Sequence, residues 1–223
     1  MGTMVAGFAH EVRNPLAVLR SLSEELLDEL GQTPLAATHV SVMLQMVERI
    51  ERLVRTSLKF GRPTAPRRER HRPEGIVSTA LLEVRHRVRA MSGTIRIEIE
   101  PDLPMVAVDD AQIAQALSIL VHNALDATSH ASEVSIRVTT KPEQPAEGAA
   151  TSTAGAVVFQ VTDHGPGIPE ELLGRIFDPF FTTKPAGTGL GLAIASQIVS
   201  ENGARLGVES APSVTTFTIT VPT

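Results

Sequence analysis

Residues 187–192 read GTGLGL, and the chain continues AIASQIV to residue 199. Three glycines alternate with Thr188 and Leu190, then Leu192, Ile194 and Val199 recur at helical spacing. The stretch therefore predicts a tight turn that opens a helix. Free N–H groups at a helix N-terminus, together with its dipole, cradle phosphate groups. A plain loop followed by a helix would look similar. It is not a P-loop, because no Gly-Lys-Ser/Thr follows, and it has no βαβ setting with a later acidic residue to make a dinucleotide fingerprint.

Three stretches upstream share its character. VTDHGPGIP (161–169) ends a strand and enters a turn. Asp163 at that strand end can accept from a base amino group, and Gly165 and Gly167 remove Cβ atoms from the path of a flat ligand. In ILVHNALDA (119–127), Asn123 lies beside an apolar helix face where asparagine has poor propensity. Its amide oxygen suits Mg²⁺, although a core asparagine satisfied by backbone would read the same way. FDPFFTTK (177–184) joins an apolar latch, Phe177, Phe180 and Phe181, to Lys184, which can reach a phosphate.

Around these, the pattern from residue 74 alternates between helices and strands. Helices are expected near 74–91, 110–127, 170–176 and from the glycine turn through 199. Strands are expected in TIRIEIE, MVAVDD, EVSIRVTT, AVVFQVTD, RLGVES and TTFTITVP. This predicts a two-layer α/β sandwich on a largely antiparallel mixed sheet. KPEQPAEGAATSTAG (141–155) reads as a flexible hairpin insertion.

The first sixty residues differ. Val5, Ala9, Val12, Leu16, Leu19, Ser23, Leu26 and Leu30 form one helical seam, and His39, Met43, Met46, Ile50, Leu53, Ser57 and Phe60 a second. Val40, Leu44, Val47, Val54 and Leu58 widen the second face. Gly31-Gln32-Thr33-Pro34 is a stop and turn. One hairpin cannot cover both broad faces, so a symmetric dimer forming a four-helix bundle is expected. GRPTAPRRERHRP (61–73) reads as a linker. Domains are thus expected at 1–60 and 74–223.

Composition narrows the function classes. The 223 residues carry a formal charge of −5, no Cys, no Trp and no Tyr. Disulfides and thiolate metal sites are excluded, and an overall field or aromatic platform for nucleic acid is missing. No run approaches the ~20 apolar residues of a membrane span, and no signal peptide is evident. A soluble, cytoplasmic chain is expected, with any membrane anchor of the full-length protein lying upstream.

In this order, Asn123, DHGPGI, FDPFF and GTGLGL resemble the N, G1, F and G2 boxes of the GHKL ATPases, and AHEVRNPL (9–16) resembles an H box. From about Val5 to Val221 the chain resembles the cytoplasmic core of a sensor histidine kinase of the nitrogen-regulation type. The resemblance implies a dimerisation and phosphotransfer hairpin followed by an ATP-binding domain of the Bergerat fold. It implies that His10 accepts the γ-phosphoryl group of ATP, that Glu11 serves as its base, and that Asn14 orients a water for phosphatase action. Pro15, which costs ~3 kcal/mol inside a helix, would bend it there. The implied nucleotide contacts are Asn123 with its Mg²⁺, Asp163, Gly165, Gly167, Ile168, Phe177, Lys184, Gly187, Thr188, Gly189, Leu190, Gly191 and Leu192. A homodimer and a response-regulator receiver domain are the implied partners. Three departures stand out: Ile119 where many relatives have a second asparagine, His164 after the G1 aspartate, and no Gly-x-Gly in SAPSVTTF (210–217). A non-enzymatic nucleotide-binding scaffold, another GHKL ATPase, and a kinase-fold phosphatase are the competing readings.

Overall fold

The computed structural model describes residues 16–26, 40–45, 47, 50, 65–142, 155–184 and 187–223. The chain divides into two units, 1–64 and 65–223. His10, Glu11, Asn14 and Pro15 lie outside the described residues, as does the 31–34 turn.

In the first unit, helix α1 is described over 16–26 and α2 at 40–45, 47 and 50. Leu16, Ser23, Val40 and Val47 are buried, and the Ser23 hydroxyl donates to the Leu19 carbonyl at 2.8 Å. The other seam residues among the described ones differ. Leu19, Leu26, Met43 and Ile50 are exposed, along with Val18, Leu22 and Val42. On α2 the buried line thus runs through Val40 and Val47, which the sequence places at the margin of the seam.

The second unit is an α/β sandwich. Its five-stranded sheet has the order β2-β4-β5-β7-β6, formed by β2 (Arg96–Ile99), β4 (Val134–Pro142), β5 (Gly155–Asp163), β6 (Arg205–Ala211) and β7 (Val214–Pro222). Only the β2–β4 pair is parallel. The central β5 has Val157, Val158 and Phe159 all buried, which accounts for its unbroken apolar run. Lys141 and Gly155, assigned from sequence to the insertion, belong to the ladder, with Pro142 opposite Gly155. Residues 65–73 also differ from a linker: Glu69–His71 form β1, antiparallel to β3 (Val106–Val108).

Helix α3 (Pro73–Ala90) starts with proline at a first-turn position, where its missing N–H costs nothing, and carries Glu74 in its first turn. Helix α4 (Asp110–Ala127) is capped by Asp109, whose Oδ1 accepts from the Gln112 N–H at 3.0 Å. Ile113, Leu117, Leu120, Val121, Ala124 and Leu125 bury its inner face, and each large side chain so removed from water contributes about 1.5–3 kcal/mol. α5 (Glu170–Leu173) is a single turn, and α6 (Gly191–Glu201) packs beside α4. α4 therefore lies between α3 and α6 over the sheet of this unit.

Candidate functional site

Residues 119–127 of α4 are the spine of the site. One turn apart, Ile119, Asn123 and Ala127 each meet a different distant segment. Ile119 Cγ2 sits 3.4 Å from where a Cβ on Gly191 would be, at the start of α6. Asn123 Oδ1 accepts from Lys184 Nζ at 3.4 Å. A Cβ on Gly165 would come within 2.7 Å of the Ala127 carbonyl and 2.9 Å of its Cβ. Helical periodicity explains the alignment, since positions four apart share a face.

Asp163 ends β5 between Val134 and Thr215 and is buried. Its Oδ1 accepts the Gly165 N–H at 3.0 Å, closing the turn. Burial lifts its pKa above the usual carboxylate value, against the opposing pull of that N–H, His164 and Lys184. Gly167 has φ +81°, and a Cβ there would strike the Ala211 carbonyl. The Ile168 N–H donates to Ser210 Oγ at 2.8 Å. The G1 turn is thus buttressed by the β6–β7 hairpin. That hairpin turns through Pro212 and Ser213 alone, with Ser213 at φ +70°.

The other glycines also answer to the protein. Gly189 has φ +68° and its carbonyl accepts the Phe180 N–H at 2.9 Å; a Cβ there would overlap the Phe180 backbone. Phe180 itself is at φ +68°. The Gly187 N–H donates to the Lys184 carbonyl at 3.0 Å, and its Cβ would strike Thr182 Oγ1. At Gly165, Gly167, Gly187 and Gly189 the missing Cβ makes room for neighbouring chain. Thr188 Oγ1 accepts from Leu190 N at 3.4 Å. Leu190 is fully buried, backbone as well as side chain. Ile168, Phe177 and Leu192 are partly buried and pack against the core.

Sequence reasoning passed over two charged groups here. Asp126 Oδ2 accepts from Lys184 Nζ at 2.9 Å, and its Oδ1 is paired with Arg87 of α3. Asp126 lies within the quoted 119–127 stretch, but nothing in the sequence pairs it with a lysine 58 residues away. Nearby, His122 is held neutral-leaning: burial first, then Arg87, lowers its pKa. His164 Nδ1 bonds the Glu133 carbonyl at 3.1 Å.

An amide oxygen facing an ammonium, the N-terminus of an eleven-residue helix and a buried carboxylate together suit a purine nucleotide and its metal. Residues 108–223 match the histidine kinase-, DNA gyrase B- and HSP90-like ATPases, and residues 1–66 match the His Kinase A (phospho-acceptor) domain. The chain belongs to the sensor histidine kinases. Among its relatives, this kinase core is 32% identical over 222 residues to the sensory histidine kinase/phosphatase NtrB of Vibrio alginolyticus, covering 98% of the chain and 61% of that protein. It is 32% identical over 228 residues to the C4-dicarboxylate transport sensor protein DctB of Rhizobium meliloti, covering 98% of the chain and 34% of that protein. The chain thus spans between a third and three fifths of the length of these relatives. The crystal structure of the histidine kinase ThkA in complex with the response regulator TrrA matches with TM-score 0.67 and 25% identity, over 99% of this chain and 61% of that one. Full-length ShkA in complex with AMPPNP shares the fold at TM-score 0.72 and 23% identity, over 100% of this chain and 46% of that one. Among the described residues no helix is long and apolar enough to cross a membrane.

Proposed function

We propose that this chain transfers the γ-phosphoryl group of ATP to its own His10 and passes it to an aspartate on a response-regulator receiver domain. The observation that carries the reading is the meeting of Asp163's turn, Lys184 and the start of α6 on one face of α4. In this reading residues 1–60 are the dimerisation and phosphotransfer hairpin. The ATP-binding domain runs from 74 to 223, with β1 added to it from the 61–73 stretch. The base amino group of ATP donates to Asp163, and its phosphates lie along residues 187–191 and Lys184. Asn123 would hold Mg²⁺: its oxygen already accepts from a cation, and a hard oxygen donor is what that ion requires. When bound, the ion supplies charge neutralisation on the phosphates.

A ring nitrogen of His10 attacks the γ-phosphorus, the bond to the bridging oxygen of the β-phosphate breaks, and ADP departs. Glu11 takes or polarises the other ring proton, and Asn14 orients water for the reverse duty, dephosphorylation of the regulator. NtrB's description as a kinase/phosphatase supports that second duty. A second copy of the chain would cover the exposed Leu19, Leu22, Leu26, Met43 and Ile50, completing a four-helix bundle. A cytoplasmic location follows from this chemistry, since ATP and receiver domains are found there.

With γ-labelled ATP and Mg²⁺, the chain should take up label that is labile in acid and stable in base, and His10→Gln should take up none. Label that persists in His10→Gln would sink the assignment.

A further inference from the structure

Arg87, Asp126, Lys184 and Asn123 form one polar chain that runs from α3 to the oxygen assigned to the metal, and the reading above uses only its last two members. Each oxygen of Asp126 engages a different cation, Oδ1 the Arg87 guanidinium and Oδ2 the Lys184 ammonium at 2.9 Å. Another donor of the same ammonium reaches Asn123 Oδ1 at 3.4 Å. Asp126 follows Asn123 by three residues, so both project from the same side of α4. The backbone of Lys184 is held as well, its N–H donating to Thr182 Oγ1 at 3.1 Å and its carbonyl accepting from Gly187 N–H. The side chain is 40% exposed, and a lysine with that much freedom would otherwise sample many rotamers.

We propose that Asp126 is a positioning residue for the terminal phosphate of ATP. It holds the Lys184 ammonium beside Asn123 before the nucleotide arrives, and Arg87 fixes the carboxylate that does so. The inference rests on the assignment of Lys184 as a phosphate contact and adds two residues to it. ADP lacks the γ-phosphate, so the arrangement should favour triphosphate over diphosphate. A carboxylate acting through its charge alone would do otherwise. Neutralising it would tighten both nucleotides, because it repels phosphates of either.

The test is titration calorimetry on the full chain with Mg²⁺, using ADP and a non-hydrolysable ATP analogue, and reading the ratio of the two affinities. Asp126→Asn should cut the preference for the triphosphate roughly three- to tenfold, the scale of ordering one long side chain, without weakening ADP. Arg87→Ala, outside the nucleotide contacts, should cut it in the same direction, and Arg87→Lys should restore it. Lys184→Met should cut it at least as far, and Asp126→Asn added to Lys184→Met should change it no further. An unchanged ratio in Asp126→Asn beside a reduced one in Lys184→Met overturns the positioning role alone, as does full additivity in the double variant. An unchanged ratio in Lys184→Met overturns the phosphate contact itself and this inference with it. Thermal unfolding of each variant reports that the fold is intact.

Discussion

Asp163 shows how a single residue can be costly to the fold and useful to a ligand. Its carboxylate is buried at a strand end with one backbone N–H on Oδ1, and a carboxylate has capacity for further donors. Asp163→Asn should weaken ADP binding roughly ten- to hundredfold, the range for a hydrogen bond to a charged group, measured by calorimetry at neutral pH. The same substitution should alter stability with the opposite sign. Burial raises the folded-state pKa above the ordinary 3.8, so the folded protein holds that proton to a higher pH than the unfolded chain does. As pH rises from 3.8 through the raised value, the wild type loses stability at this group, and above it the loss is constant. Denaturant unfolding at pH 4 and pH 7 should therefore show Asp163→Asn gaining on the wild type between the two. A stability difference, variant minus wild type, that stays fixed or falls toward pH 7 would contradict the raised pKa.

Among the elements, α4 and α6 matter most, and both are secured at the ends remote from the nucleotide site. Asn202, just past α6, is buried; its Oδ1 accepts the Asp109 N–H at 2.8 Å, and its Nδ2 donates to Gln112 Oε1 at 2.9 Å and to the Ile198 carbonyl at 3.0 Å. The Asp109 cap also accepts from Arg67 N–H at 3.0 Å, and Arg68 donates to the Glu201 carbonyl at 2.6 Å. The arginine-rich stretch before β1 thereby closes the C-terminal end of one helix and the N-terminal end of another. Its cations suit the carbonyls at the end of α6, where the helix dipole is negative. Asn202→Ala should cost about 1–3 kcal/mol, because it strands buried donors and acceptors rather than removing matched pairs. Denaturant unfolding of the full chain checks this, and a loss below a few tenths of a kcal/mol would show that water replaces the amide.

At the scale of the whole molecule, each unit is taken by itself. The ATPase unit encloses one continuous core beneath its helices. The helical unit leaves Leu22 51% and Val18 59% exposed while burying Leu16 and Ser23. Such an apolar strip marks an association surface, and a second copy supplies matching apolar faces by symmetry. Leu22→Asp should therefore shift the chain from dimer to monomer by light scattering while leaving ADP binding by calorimetry unchanged. A dimer that survives the charge would place the shared surface elsewhere on the chain.

Much of this protein follows from its sequence alone. The strands and helices from 73 to 222 are set by local periodicity and by residues that open a helix or turn the chain, as at Asp109, at Gly191 and at Pro212-Ser213. Asn123, Asp163 and the glycine turns are legible for the same reason, since each breaks the local preference of the element that carries it. Only the tertiary structure decided the rest. β1 is three residues of charged sequence with no apolar alternation, and it exists because β3 offers unpaired backbone groups. Gly165, Gly167 and Gly189 are required by the backbones of Ala127, Ala211 and Phe180 respectively, which no local pattern brings near them. The roles of Asp126, Arg87, Ser210 and Asn202 depend on partners that are distant in sequence. Local sequence governs which residues share a helical face or end a strand, whereas the pairing of charges and the filling of space depend on what packing brings opposite them.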